Sequence, residues 1–271
     1  MRRFTEDVTE SFYDSEDDLY RSFWDTEGSL HWGLFDESTG QDFLRACANL
    51  NEFMANKARL LPSSRLLDIG CGNGNTAMWL SGVWECSVVG VDLSGVRINN
   101  AIRDLEGAPA PLRDRVRFEK ASATALPFED GSFSHVWSQA TIYHIPDKES
   151  TLREAYRVLA QGGVFIFDDL IKPKPDISEA ARIYVYDRLY FDTDFSFQSY
   201  QDALKGAGFR VLEAVDLSEH LRASYMHLAS VTKELGESLD QKYRDLSYAY
   251  GQMVSAQENG ELGWAFYLCE K

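Results

Sequence analysis

The sequence predicts an α/β fold built around a parallel, doubly wound sheet. From residue 63 onward, short apolar runs alternate with helix-compatible stretches, which is typical of repeated strand–helix–strand units. The first apolar run, residues 65–69, leads directly into a glycine-rich turn, as strands at a ligand-binding sheet edge often do. Both observations indicate one large domain, which the length of 271 residues allows.

The central part of the chain divides into alternating elements. Proline, glycine and capping residues mark the ends of most of them. The pair Gly162-Gly163 is predicted to be the turn before the fifth strand. Predicted strands are 65–69, 87–91, 116–119, 133–138 and 164–167, and predicted helices are 74–82, 95–106 and 148–159.

The flanking regions have a different character. Helical periodicity over 17–23 and 41–60 predicts that residues 1–62 form a helical lid. After Leu170 come an aromatic-rich segment (176–200), helices at 199–206, 218–235 and 239–253, and strands at 209–215 and 262–269. We therefore expect seven strands within residues 63–271, with cap-like insertions at about 171–198 and 218–258.

Composition argues against several classes of function. A formal net charge of −16 without a basic stripe disfavours a nucleic-acid partner. No apolar run approaches the roughly 18 residues of a membrane span, and the first residues lack the apolar core of a signal peptide. The scattered cysteines Cys47, Cys71, Cys86 and Cys269 are typical of buried thiols in a cytoplasmic protein and predict no metal site.

The turn after the first strand predicts a cofactor site. Gly70, Gly72 and Gly74 leave backbone amides bare at a helix start, and Asp92 ends the next strand, where a carboxylate can hold ribose hydroxyls. Dinucleotide sites favour G-x-G-x-x-G, whereas this chain has G-x-G-x-G followed by Asn75. Asp68, just before the turn, would repel a pyrophosphate but suits the cationic cofactor S-adenosylmethionine.

Four motifs resemble the class I S-adenosylmethionine-dependent methyltransferases, which have a Rossmann-like fold. They are LLDIGCGNGN, VVGVDLS, ALPFEDGSFSHVWSQ and LREAYRVLAQGGVFIFDD, within residues 63–170. The segments FYDSEDDLYRSFWDTEGSLHWGLF, WSQATIYHIPDK and GELGWAFYLCEK are similar to sarcosine/dimethylglycine N-methyltransferases. Phosphoethanolamine methyltransferases and some sugar and natural-product O-methyltransferases are similar at several of the same places.

The resemblance implies a set of cofactor contacts. The glycines and Cys71 would approach the methionine part, near Gln139, with Asp68 beside its amino group. Asp92 would take the ribose hydroxyls and Leu93 would pack beside the adenine. Ser122 stands where the family usually has an acid that accepts from the adenine amine, and Ala123 could add a backbone N–H.

The resemblance also implies catalytic residues. His144 follows the fourth strand and would pair with Tyr13 to accept the acceptor's proton, although a purely local role in the turn is an alternative. Asp169 would face the site and its neighbour Asp168 the other side of the strand, because side chains alternate along a strand.

The acceptor is predicted to be a small molecule, with a sarcosine- or dimethylglycine-type amine ahead of hydroxyl or carbon acceptors. Tyr20, Trp24, Trp32 and Tyr143 could cage a methylammonium group or simply pack the lid. A carboxylate on the acceptor should meet Arg21, Arg45, Arg182 or Arg188, among which the sequence does not choose. A nucleotide-dependent oxidoreductase and a non-catalytic cofactor binder remain alternatives, and a homodimer is left open.

Overall fold

A seven-stranded sheet forms the centre of the molecule, with strand order β3-β2-β1-β4-β5-β7-β6. The computed structural model describes residues 4–26, 29–191, 194–238 and 240–271. Strands β1 to β5 pair in parallel, as the alternating pattern predicts. The doubly wound α/β fold with seven strands is therefore confirmed. The strands are β1 (Arg65–Ile69), β2 (Ser87–Asp92), β3 (Val116–Lys120), β4 (Phe133–Gln139), β5 (Leu159–Ile171), β6 (Arg210–Asp216) and β7 (Gly263–Glu270).

Helices cover both faces of the sheet and its carboxyl edge. The predicted helix at 95–106 has those bounds in the structure, and Ser94 caps it by accepting from Arg97 N. The helices are α1 (Glu6–Arg21), α2 (Phe43–Ala58), α3 (Asn75–Trp84), α4 (Gly95–Glu106), α5 (Ala110–Arg113), α6 (Lys148–Val158), α7 (Glu179–Ala181), α8 (Phe197–Gly206), α9 (Ser218–Ser238) and α10 (Gln241–Glu258).

The sheet is not wholly parallel, because β7 runs antiparallel to both of its neighbours. The two helices before β7 explain this direction. Contacts of Tyr225 with Tyr250 and of Ser247 with Ala229 show that α9 and α10 pack as an antiparallel pair. A single helix after β6 would bring the chain back to the edge of the sheet where β6 begins, and the next strand would be parallel to β6. Two antiparallel helices instead bring the chain back to the edge where β6 ends, so β7 runs antiparallel to β6.

Two apolar layers sandwich the sheet. Trp137, Ile166 and Phe266 contribute to the layer that also holds Trp32, Tyr225 and Tyr250, whereas Phe165 and Tyr267 face the layer containing Tyr200. Side chains alternate between these layers along each buried strand, which is why the central strands read as continuous apolar runs.

Two predicted boundaries are wrong. The helix expected at 17–23 is α1, which runs from Glu6 to Arg21. Thr5 caps its start by accepting from Val8 N. Gly162-Gly163 does not separate a helix from a strand, since β5 already begins at Leu159 and passes through the pair as an irregularity in its pairing with β4. The expected helix start at Leu239 lies outside the described residues, and α10 is seen from Gln241.

The aromatic-rich segment 176–200 contributes to the core, as expected. Tyr186, Phe191 and Tyr200 are buried, and Tyr186 stacks on Phe191. A π-helical turn, Arg182–Asp187, runs through this segment.

Within the described ranges, no helix combines the length and apolar character needed to cross a bilayer. The same residues contain no group of three or more histidine, cysteine or acidic side chains able to hold a metal ion. All four cysteines are buried and unpaired with one another.

Candidate active site

A cavity lies at the carboxyl ends of β1, β2 and β4, beneath α1. This is the edge at which ligands bind in doubly wound sheets. Every residue expected to hold the cofactor, except Gly74, lines this cavity. The lining residues of this set are Asp68, Gly70, Cys71, Gly72, Asp92, Leu93, Ser122, Ala123 and Gln139. The expected catalytic residues Tyr13 and His144 also line it.

The three glycines of the turn do different things, although all have a positive φ. A Cβ on Gly70 would lie 2.2 Å from the Thr141 side chain, and one on Gly74 would lie 2.5 Å from the Phe118 ring. Gly74 therefore allows close packing against β3 and does not line the cavity, so its contact with the cofactor stays a prediction. A Cβ on Gly72 would meet nothing within 4 Å, so this glycine borders open space where a ligand can lie.

Two carboxylates flank the open space beside Gly72. Asp92 accepts from Gly72 N at 2.9 Å and from Ser94 N at 2.8 Å, which fixes its orientation at the end of β2. Asp68 is buried, and its Oδ2 has no hydrogen-bond partner among the described residues. Burial, reinforced by the charge of Asp92, raises the pKa of Asp68 to about 8. A buried oxygen without a partner is costly, and a cationic ligand would satisfy it.

These residues fit S-adenosylmethionine. Asp68 offers an anion for the amino group, Gly72 offers room against the backbone, and Asp92 retains free lone pairs for hydroxyl donors. Gln139 also lines the cavity and is held by Asn51, to which its Nε2 donates at 2.8 Å. A diphosphate would instead face two carboxylates, which disfavours a dinucleotide.

Ser122 is hydrogen-bonded to an acidic side chain of α1 at its end of the cavity. Its hydroxyl donates to Glu6 Oε1 at 2.7 Å, and Thr124 donates to the same oxygen at 3.2 Å. Glu6 lies in the first turn of α1 and lines the cavity. A carboxylate from α1 thus lies beside Ser122, the position at which the resemblance implies an acid.

Tyr13 and His144 are in direct contact across the cavity, with the Tyr13 hydroxyl against His144 Nε2. His144 lies in a 3₁₀ turn, Ile142–His144, just beyond β4, and it is 4% exposed. The Arg97 guanidinium lies 4.1 Å from the centroid of the Tyr13 ring. Asp17 pairs with Arg97 at 3.0 Å, so this cation is already neutralised.

Burial keeps both members of this pair neutral. It raises the pKa of Tyr13 well above its usual value, and it lowers the pKa of His144 well below its usual value, an effect to which Lys148 and Arg97 add. Both groups are then uncharged, and the Tyr13 hydroxyl donates to His144 Nε2 in the tautomer that carries the imidazole proton on Nδ1. The Tyr13 oxygen retains lone pairs that can accept a hydrogen bond from a ligand.

Asp169 does not line the cavity, contrary to expectation. It accepts from Tyr143 N at 2.9 Å and from the Tyr200 hydroxyl at 3.0 Å, on the far side of the sheet. Asp168 points toward the layer on the cavity side and accepts from Trp264 Nε1 at 2.8 Å. The two carboxylates point to opposite sides of β5, as expected, but Asp168 and not Asp169 points to the cavity side. Asp169 supports the turn that carries His144 and is not placed to touch a substrate.

Aromatic side chains surround the part of the cavity next to Tyr13 and His144. The four expected aromatics, Tyr20, Trp24, Trp32 and Tyr143, all line it. Tyr225 from α9 and Tyr250 from α10 join them. No motif signalled these last two residues, because their spacing is that of ordinary amphipathic helices.

The structure also separates the four candidate arginines. Arg188 lines the cavity, whereas Arg21, Arg45 and Arg182 do not. Arg45 pairs with Glu52 at 3.5 Å, and Arg182 pairs with Glu179 and Asp187.

Comparison with known proteins decides the family. A methyltransferase domain family matches residues 67–167. A 27-O-demethylrifamycin SV methyltransferase from Amycolatopsis mediterranei (strain S699) is 30% identical over 246 residues, covering 89% of each chain. The chain belongs to the S-adenosylmethionine-dependent methyltransferases. A sarcosine/dimethylglycine N-methyltransferase from Halorhodospira halochloris is 29% identical over 275 residues, which is 98% of this chain and 96% of that one.

Solved structures of methyltransferases share the fold. Phosphoethanolamine N-methyltransferase 2 from Haemonchus contortus, in complex with phosphomonomethylethanolamine and S-adenosylhomocysteine, superposes with a TM-score of 0.82 at 19% identity. The match covers 97% of this methyltransferase and 60% of that chain. The methyl donor of this family is S-adenosylmethionine, and the fit of Asp68, Gly72 and Asp92 agrees with it.

Proposed function

We propose that this methyltransferase acts on the nitrogen of a small amine of the sarcosine or dimethylglycine type. The main support for this proposal is the set of aromatic rings that line the cavity beside Tyr13 and His144. Methylated ammonium groups are recognised by aromatic faces, each contact contributing about 0.5–2 kcal/mol. The relative from Halorhodospira halochloris, matched over nearly the full length, is named for such substrates.

Positioning accounts for most of the catalysis in this proposal. Bound S-adenosylmethionine supplies a methyl group activated by a sulfonium. The rings of Trp24, Trp32 and Tyr143, all at the cavity wall, would hold the acceptor against this methyl group and exclude water. Holding two reactants in line contributes up to about 7–11 kcal/mol.

Proton removal is assigned to Tyr13 and His144. The acceptor amine enters as an ammonium at neutral pH and must lose a proton before its lone pair can attack. The Tyr13 oxygen accepts this proton while its own moves to His144 Nε2, with which it is in contact. Asp169 acts as a positioning residue, since it holds the backbone N–H of Tyr143 next to His144.

A hydroxyl acceptor is the second candidate. The same pair could deprotonate a hydroxyl, and the relative from Amycolatopsis mediterranei is named for methylating an O-demethylated compound. Isotopically labelled donor, offered with glycine, sarcosine, dimethylglycine, phosphoethanolamine and phenols, discriminates between the two. The proposal predicts transfer to sarcosine or dimethylglycine above all others. Transfer to phenols alone would contradict it.

A further inference from the structure

Arg188 is a cation of the cavity wall that no acid neutralises within the part of the chain that the structure describes. It follows the π-helical turn Arg182–Asp187, and its side chain is partly accessible within the cavity. No carboxylate of the described residues lies within ion-pair distance of it. The other arginine of the cavity wall, Arg97, is paired with Asp17 at 3.0 Å.

Aromatic groups hold Arg188 but leave most of its hydrogen-bond donors unused. Its Nη2 is 3.5 Å from the Tyr20 hydroxyl, and its guanidinium carbon lies 5.1 Å from the centroid of the Tyr250 ring. A guanidinium has five N–H donors in a planar fork, more than these contacts use. A cation removed from bulk water without a counter-ion is costly, so such a group is expected where a ligand supplies the anion.

The backbone around Arg188 is unusual in a way that suits a binding site. π-Helical turns are rare and occur often at functional positions. Two residues later, Tyr190 adopts a left-handed φ of 48°, which is unfavourable for a residue with a bulky side chain. The rings of Phe4 and Phe12 pack edge-on against Tyr190 and fix this conformation.

We propose that Arg188 binds the carboxylate of the methyl acceptor and selects zwitterionic amino acids over amines lacking an acid. The inference rests on the proposed function, because it names the acceptor class of the same cavity. A single unpaired guanidinium matches one carboxylate through two parallel hydrogen bonds. A phosphate dianion would call for a second cation of unbalanced charge, whereas the charge of Arg97 is balanced by Asp17.

Matched pairs of acceptors test the proposal. Dimethylglycine is compared with dimethylglycine amide, and a hydroxybenzoate with its amide, using kcat/KM for methyl transfer. The wild-type enzyme should favour the acid of a pair about 10- to 100-fold, the usual contribution of a charge-assisted hydrogen-bonded pair. Arg188→Met should lose this preference through a higher KM for the acid, while the amide is little affected. Arg188→Lys should restore part of it.

A second arginine provides the control. Arg182 begins the same π-helical turn, but it pairs with Glu179 and Asp187 and does not line the cavity. Arg182→Met should leave the preference for the acid unchanged. Calorimetric binding of S-adenosylhomocysteine to each variant, together with its melting temperature, reports whether the protein is folded.

The outcomes separate this inference from the proposed function. If only the hydroxyl acceptors react, yet the acid of that pair is preferred and Arg188→Met abolishes the preference, the amine proposal fails and the role of Arg188 stands. If the wild-type enzyme treats acid and amide alike in both pairs, or if Arg188→Met keeps the preference, the role of Arg188 is refuted. Calorimetry of dimethylglycine binding to the enzyme saturated with S-adenosylhomocysteine should give the same ranking without turnover.

Discussion

At the scale of single residues, we propose that Tyr13 and His144 take the proton of the acceptor from a state in which both are uncharged. Both groups are neutral at physiological pH because burial disfavours their charged forms. The Arg97–Asp17 pair packs against the Tyr13 ring without adding net charge to the site. A neutral base can approach a cationic acceptor without repelling it.

Removal of either partner should therefore slow the chemistry more than binding. Tyr13→Phe and His144→Asn should each lower kcat about 10²-fold, while affinity for S-adenosylhomocysteine changes less than twofold. Because the pKa of His144 is depressed, it is unprotonated throughout the neutral range, and kcat should have no inflection near pH 6.5. Steady-state rates between pH 6 and 9 test this. An inflection near pH 6.5 that disappears in His144→Asn would contradict it.

Asp68 should link binding of the methyl donor to pH. With a pKa raised to about 8, it is mostly protonated at pH 6.5, whereas an ion pair with the donor's ammonium requires the ionised carboxylate. Binding at pH 6.5 should release close to one proton, and affinity should weaken by up to about tenfold per unit as pH falls below 8. Calorimetry in buffers of different ionisation enthalpy measures the release.

The matched variants for this test are Asp68→Asn and Asp18→Asn. The first removes the titrating group and should abolish proton release as well as weaken binding. The second changes an exposed residue of α1 and should leave both quantities unchanged. Donor binding by the wild-type protein with no proton exchange would show that Asp68 is already ionised.

From the residues alone, the location of a site residue could be predicted only where it belongs to a contiguous motif. Asp68, Gly72 and Asp92 belong to contiguous motifs, so their shared location follows from the strand–turn–helix geometry. The direction of Asp169 depended on which layer each face of β5 meets, and alternation alone does not specify this. The sequence left Arg188 as one of four candidate arginines, because the lack of an acidic partner among the described residues emerges only in the folded protein.

At the scale of elements, α1 is attached to the cofactor side of the cavity by one acidic face. Glu6, Glu10, Asp14 and Asp17 recur every three or four residues, which aligns them along the helix. Glu6 accepts from Ser122, Glu10 pairs with Lys120, Asp14 accepts from the Ser94 hydroxyl at 2.5 Å, and Asp17 pairs with Arg97. These contacts hold α1 across the ends of β2 and β3.

Weakening this acidic face should loosen the retention of the cofactor. Glu6→Gln with Glu10→Gln should raise the Kd for S-adenosylhomocysteine about 3- to 10-fold, mainly through faster dissociation, because partly exposed contacts of this kind contribute only modestly to the attachment of α1. Added salt should weaken wild-type binding in the same direction. Stopped-flow dissociation measures the effect.

The control for α1 changes acids that make no such contacts. Glu16→Gln with Asp18→Asn removes the same charge from the helix, and dissociation should match the wild type. Equal effects of the two double variants would show that net charge, and not attachment of α1, controls retention.

At the scale of the whole molecule, strand and helix identities were largely predictable, whereas strand direction was not. Periodicity identified all seven strands, but β7 is antiparallel because of the two-helix connection before it. The aromatic part of the cavity combines Trp24 from the amino-terminal region, Tyr143 from the centre of the chain, and Tyr225 and Tyr250 from α9 and α10. Its assembly from distant segments explains why no single motif described it.

We propose above all that the methyl group is transferred to the nitrogen of an amino acid. Carbon-13 NMR of the product, formed with methyl-labelled S-adenosylmethionine and dimethylglycine or sarcosine, tests it most directly, because the chemical shift reports the atom to which the labelled carbon is bonded. We expect the label on nitrogen, with S-adenosylhomocysteine formed in equal amount. No label on either amino acid, with ready labelling of oxygen or carbon in a hydroxyl acceptor, would contradict it.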